Sequence, residues 1–394
     1  MSDLSWIRTY GFLGVRLFEL PSLLICLLTI LILSYIFRLS IKYQIFLILH
    51  CFLPFILNDV LFSISYMPDQ LKYWRGVNDI RNGSIGVFEA LLDDGNVAQA
   101  SLFLSIIPFP TPVSYISLGF YNTFIYIVLF FIIYVRNLFT KVSIWFYLLF
   151  PSMALYTALS LRETLILFFM TLALIYARES RIFRSVICMV PVYLIKFQNF
   201  YIVGPIVLLY FIFNVAKKGM SLTKAVIIGV IALASLLAAA PIALPLVNKF
   251  RVAMFVEDGG DRDDIELISG VGDFVYQGLT SAFYFLSKPF PWEVNSALQL
   301  IQSLENVFVL GILFLITRQA WKKSLDKLAF WLLFMALAMS VYGLVVANYG
   351  TAVRYRYAFV FIYVLFVCAD CDIEKLFPKK KKASSKQAMK YNSR

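Results

Sequence analysis

The sequence predicts an all-α polytopic membrane protein. Of its 394 residues 61% are hydrophobic and only 15% charged, against roughly 25% charged in a soluble globular chain. Several apolar runs reach the roughly 20 residues that a helix needs to cross a bilayer. Lys and Arg collect in short stretches between those runs, as they do in cytoplasmic loops. The formal net charge of +12 therefore points to anionic headgroups and not to nucleic acid. The tail "KLFPKKKKASSKQAMK" reads as a basic, disordered cytoplasmic segment beside them.

Each run is oriented by its basic flank. Run 17–37 ends at Arg38 and Lys42. Run 43–64 leads into a polar external loop at about 65–112, and run 113–134 returns to Arg136 and Lys141. Stretch 142–176 starts after Lys141 and ends at "ARESRIFR", so both of its ends are basic. A segment with both ends on one side must turn back, which makes it a short hairpin with its turn near residues 160–163. Stretch 185–215 lies between Arg184 and Lys217 and repeats the layout, with Lys196 near its turn. Each leg is shorter than a full span, so both turns are expected in a recess at the external surface. Run 225–247 goes out to a second external loop at about 248–295, rich in Asp and Gly. Run 300–316 returns to "RQAWKKSLDK", run 330–346 leaves again, a short loop holds "NYGTAVRYRY", and run 358–368 ends at the lysine tail. The tally is about eleven spans with the N-terminus outside and the C-terminus inside. Residues 1–374 form one transmembrane domain and 375–394 the tail. The stretch "WIRTYGFLGVRLFEL" also suits an interfacial amphipathic helix. No cleavable signal is expected, because Asp3, Arg8, Arg16 and Glu19 precede the first long run.

Several chemistries find no support. The chain has no GxGxxG, P-loop or HExxH, which argues against ATP hydrolysis and metalloprotease activity. Cys26, Cys51 and Cys188 lie in apolar runs as small hydrophobes, and the single pair Cys368–Cys371 is weak support for zinc. The acidic stretch "EDGGDRDDIELISGVGD" lacks the spacing of a calcium loop. His50 is expected to be a packed core residue. No metal or cofactor is expected.

The informative residues are charges at external membrane depth: Arg162, Glu163, Lys196, Arg354 and Arg356. Such charges are costly and run against the positive-inside bias. Four cations there suggest an anion within reach. Arg forks onto two phosphate oxygens and Lys acts as a point charge. The structural alternative is that Arg162 pairs with an acid inside the bundle and Arg354 snorkels to headgroups. Neighbours on a helix point about 100° apart, so Glu163 is expected to support Arg162 unless a turn intervenes. Asp69 and Tyr73, in "YMPDQLKYWRG", stand one helical turn apart. An acid beside aromatic rings suits carbohydrate, and Asp69 is a candidate general base. In "YFLSKPFPWEVNS" the prolines stiffen a turn beside Trp292. That ring suits the interface belt and is a substrate-binding candidate.

These motifs together resemble bacterial polysaccharide polymerases of the O-antigen polymerase (Wzy) type and the related EpsG-like membrane proteins. The shared elements are "DQLKY", "SLRE", "PFPWE" and "RYRY". The resemblance covers most of the chain in layout, though an extended Arg-x10-Gly pair of loops is missing. It implies a GT-C-like helical fold in the bacterial inner membrane. It also implies a metal-independent glycosyl transfer on the external face, joining repeat units carried on undecaprenyl pyrophosphate. Asp69, Arg162 and Glu163 would then be catalytic, and Tyr73, Lys196, Arg354, Arg356 and Trp292 would bind substrate. The partners implied are lipid-linked oligosaccharides, the bilayer and a chain-length regulator in the membrane. Two other readings stay open: a glycosyltransferase that uses an undecaprenyl-phosphate sugar, and a flippase for lipid-linked oligosaccharide.

Overall fold

The computed structural model describes residues 16–376 except 59, 63–66, 94, 95, 214, 239, 258–260, 263, 264 and 347. The first fifteen residues, part of the acidic stretch and the lysine tail lie outside the described residues. Within them the chain is helical, with no strand. In order the helices are α1 (Leu20–Phe37), α2 (Ile41–His50), α3 (Leu53–Leu57), α4 (Asp69–Arg81), α5 (Val87–Leu92), α6 (Asn96–Ser105) and α7 (Tyr115–Val135). There follow α8 (Lys141–Leu149), α9 (Pro151–Tyr156), α10 (Glu163–Arg178), α11 (Ile182–Ile195), α12 (Phe197–Phe213) and α13 (Val215–Lys218). The last are α14 (Leu222–Ala238), α15 (Ala240–Glu257), α16 (Val271–Ser287), α17 (Ala297–Lys323), α18 (Leu325–Gly343) and α19 (Tyr349–Asp370).

Five of these, α1, α7, α17, α18 and α19, are long and apolar enough to cross a membrane. Their burial sorts them. α7 and α19 are almost wholly enclosed, whereas α1 and α17 turn Leu24, Leu28, Leu31, Leu304, Phe308 and Phe314 outward. An exposed apolar face on helices of this length suits contact with lipid. One apolar core runs from Leu23 to Ile373.

Local chemistry sets the breaks. Ser114 and Thr140 cap α7 and α8 by accepting from the backbone N–H of Ile116 and Ser143. Pro151 opens α9, where its missing N–H costs nothing. Asn137 and Ser180 take left-handed backbone angles that stop α7 and α10, and Asn tolerates that region well.

Both expected hairpins are present. Arg136, after α7, pairs with Glu179, after α10, so the entry to α8 and the exit from α10 share one end of the bundle. The stretch 142–176 therefore turns back, through residues 157–162. The second hairpin folds at Lys196: a methyl built on Gly204 would sit 3.9 Å from Met189, fifteen residues earlier. A continuous helix would separate those positions by about 22 Å.

Four expectations are corrected. The loop at 65–112 is mostly helical, as α4 to α6. Those helices are short and polar on one side, so no apolar run marked them. The stretch 248–295 contains the end of α15 and all of α16, whose Phe274 and Phe285 are buried. Run 225–247 is divided between α14 and α15. The "RYRY" stretch is not a loop but the first turns of α19, capped by Asn348, whose side chain accepts from Gly350 and Thr351.

Candidate functional site

The turn between α9 and α10 is held from three sides. Asn122, inside α7, donates to the carbonyls of Leu159 (2.6 Å) and Leu161 (2.7 Å). Gln70 on α4 accepts from the Ser160 N–H at 3.0 Å. The Ser160 hydroxyl donates to the Tyr115 carbonyl. Gly119 makes room for this approach, since a Cβ there would lie 2.6 Å from the Ala158 carbonyl oxygen. Arg162 is the N-cap of α10 and Glu163 its first residue. A carboxylate at that position complements the helix dipole.

Arg354, on α19, joins the two acids. Its guanidinium lies 2.8 Å from Glu163 and 3.1 Å from Asp69. Asp69 also pairs with Lys72 at 2.9 Å. Burial pushes the Asp69 carboxyl up, but Lys72 and Arg354 outweigh it and hold it below the ordinary carboxylate range. Burial pushes the neighbouring Tyr73 hydroxyl up, against the pull of Arg162, so it stays protonated.

Arg162 and Lys196 lack such partners. Arg162 donates one long bond, 3.4 Å, to the Ile195 carbonyl, and its Nε has no hydrogen-bond partner. Lys196 is buried at the break between α11 and α12, its ammonium 3.0 Å from the Tyr355 ring centroid and 5.2 Å from that of Tyr342. Aromatic faces attract a cation. Among the described residues no carboxylate lies within ion-pair distance of either side chain. Four cations, Lys72, Arg162, Lys196 and Arg354, thus face two acids, Asp69 and Glu163, leaving a surplus of two positive charges.

A cavity of about 680 Å³ opens beside them. One part is polar, with Asp69, Lys72, Tyr73, Arg162, Lys196 and Gln198. The rest is apolar, lined by Leu246, Phe250, Met254, Leu279, Leu337 and Val341 among others. Leu246 and Leu279, on α15 and α16, are more than half exposed, so this apolar wall reaches the molecular surface.

The structure thus brings Asp69, Tyr73, Arg162, Glu163, Lys196 and Arg354 together, but not Arg356 or Trp292. Positions two apart on a helix point about 200° apart, so Arg356 faces away from Arg354. It is buried and donates to the carbonyls of Phe285 (2.9 Å), Leu286 (3.0 Å) and Lys288 (2.8 Å), and to Asn306. Its donors are spent on tying α16 and α17 to α19. Trp292 is 77% exposed and stacks on Phe290, away from the cavity. Glu163 pairs with Arg354 and makes no ion pair with Arg162, so it anchors Arg354. His50 is packed on Tyr126, with ring centroids 3.9 Å apart, and meets Thr157 at 3.2 Å.

Sequence reasoning missed Gln70, Asn122, Tyr342 and Tyr355. Asn122 carried a signal, since an amide in the middle of an apolar run needs a partner. Tyr355 carried none beyond its place between two arginines. No family model, curated protein or solved structure matches the chain.

Proposed function

We propose that the protein is a membrane glycosyltransferase that joins saccharide units carried on a lipid pyrophosphate, a polysaccharide polymerase. The observation that carries the reading is the pairing of the half-buried Arg162 and the buried Lys196, neither of which has a carboxylate within ion-pair distance, with a cavity that continues as an apolar wall to the surface. A lipid pyrophosphate has that polarity: an anionic group at the boundary of an isoprenoid chain. Buried charge without a partner is costly, and a phosphate supplies the missing partner.

In this reading Arg162 and Lys196 bind the pyrophosphate and stabilise the charge that grows on it as it leaves. An acceptor hydroxyl oxygen attacks the anomeric carbon of the donor sugar. The bond from that carbon to the pyrophosphate oxygen breaks, the electron pair departs with the phosphate, and the hydroxyl proton passes towards Asp69. Asp69 is tied to Lys72 and Arg354 and is a weak base, so its contribution is to orient the hydroxyl more than to pull the proton early. Arg354, already held by two acids, positions Asp69. The Arg162 end of the bundle is external and the Asp370 end cytoplasmic, with the shorter helices completing about eleven crossings in a GT-C-like arrangement.

Transport across the bilayer is less favoured. The opposite end is closed by Asp370, which accepts from Arg178, Tyr210 and Trp331. The test is surface polymer length in cells whose chromosomal copy carries Arg162→Ala. Loss of long chains is expected. Long chains at the wild-type level overturn the assignment.

A further inference from the structure

A second cavity of about 400 Å³ lies against the first. The two share Leu344, Val345 and Val346, the turn between α18 and α19. The partition is thin beside it. A Cβ on Gly343 would sit 2.5 Å from the Ser281 carbonyl oxygen, so α16 and α18 meet there backbone to backbone.

The second cavity differs in chemistry. Its charges are answered. Lys288 pairs with Glu293 at 3.1 Å. Arg251 donates to Gln277, which in turn donates to Asp273 at 2.9 Å. Counting Glu266 at the rim, the cations Arg251 and Lys288 are balanced by the acids Glu266 and Glu293. Among the described residues no surplus positive charge is left to hold a phosphate. What remains is a polar floor with two phenol rings, Tyr284 and Tyr349, whose centroids lie 4.6 Å and 5.9 Å from the Lys288 ammonium. Tyr284 is about half exposed, so part of its ring is open to a ligand. Balanced charge, hydrogen-bonding groups and an open aromatic face suit a neutral polyhydroxyl ligand.

We propose that this second cavity is a saccharide-binding site for the acceptor glycan behind its reacting end, set across the 344–346 turn from the cavity in which that end meets Asp69 and the lipid pyrophosphate. The assignment gives the "KPFPWE" stretch a use: Lys288 and Glu293 hold the floor, while Trp292 stands outside it. It rests on the polymerase reading for the word acceptor, but its binding chemistry can be tested alone.

The experiment uses the purified full chain in detergent and two probes. One is a set of oligosaccharide fragments from the host's own surface polysaccharide; the other is undecaprenyl pyrophosphate. Tyr284→Ala is expected to weaken fragment binding about five- to tenfold, the loss of one good ring contact, and to leave lipid pyrophosphate binding unchanged. Tyr284→Phe, which keeps the ring, should retain most of the affinity. Arg162→Ala should do the reverse of Tyr284→Ala. Wild-type fragment affinity in both Tyr284→Ala and Tyr349→Ala overturns the proposal, as does a wild-type protein that binds no fragment. If Tyr284-dependent fragment binding is found but Arg162→Ala cells still make long polymer, the saccharide site stands and the polymerase reading fails.

Discussion

Both ends of the bundle bury charge, and they treat it in opposite ways. At one end the Asp370 carboxylate is fully covered and accepts from Arg178 (2.9 Å), Trp331 (3.0 Å) and Tyr210 (3.2 Å), while Lys327 takes the Asp370 carbonyl. Helices α10, α12, α18 and α19 are joined by that one group. At the other end Arg162 has a single long bond and Lys196 has ring faces. Charge closed by partners fixes packing. Charge left open lowers stability and waits for a ligand. The contrast separates a structural cluster from the proposed binding site.

The contrast breaks or holds on paired substitutions. The largest effect is expected from Asp370→Ala, which strands Arg178 and two buried ring donors. The loss is about 3 kcal/mol, the low end for breaking a buried pair because Arg178 is partly exposed. It is read as a fall in Tm of the detergent-solubilised protein. Arg162→Ala should leave Tm unchanged or slightly raised, yet reduce polymer formation roughly 10²-fold or more, as removal of one group that stabilises leaving charge does. Equal losses of Tm in the two variants would make Arg162 a second structural charge and erase the distinction.

A smaller effect tests the link between the open and the closed charges. Glu163→Gln removes one of the two acids that hold Arg354 and leaves Asp69 in place. The expected loss is about 1–3 kcal/mol, the cost of an unsatisfied buried group. Polymer formation should fall with it, because Arg354 then competes with a bound phosphate's partners in place of staying fixed. If Glu163→Gln alters neither Tm nor polymer, Arg354 is held by Asp69 alone and Glu163 has no anchoring role.

Much of this layout was legible in the sequence. The flanking basic clusters located both hairpins and their turns, because charge asymmetry across a membrane is a one-dimensional signal. Arg162 and Lys196 were found because each is costly where it stands, and Asp69 because an acid one helical turn from Tyr73 suits a sugar hydroxyl. What sequence could not supply is rotation about a helix axis before the helix is known. "RYRY" read as a loop allowed Arg354 and Arg356 to converge; as a helix it sends them to opposite faces, and Tyr355 between them meets Lys196. The external loops failed differently. Helices α4 and α16 bury one face only, against the bundle, and their other face is polar or exposed, so neither makes an apolar run. Gln70, which holds the Ser160 turn, lies on such a helix.

The smallest expected effect is the most specific, and it concerns Asp69. Lys72 and Arg354 hold its carboxyl below the ordinary value, so its charge, and whatever that charge positions, is fully present above the usual carboxyl range and is lost only as pH falls through the depressed folded value. Polymer formation in proteoliposomes should therefore show no acid limb due to Asp69 between pH 8 and about pH 4. Asp69→Asn should lower the rate by a similar factor across that whole window. A general base with a raised value would behave otherwise: the wild type would lose rate between about pH 7 and 5, and Asp69→Asn would abolish that slope. A slope of that kind, absent in the variant, would overturn the mainly positioning role and make Asp69 a general base whose early proton transfer limits the rate. A flat profile keeps Asp69 with Arg354 and Glu163, on the closed side of the comparison, and leaves Arg162 and Lys196 as the open pair.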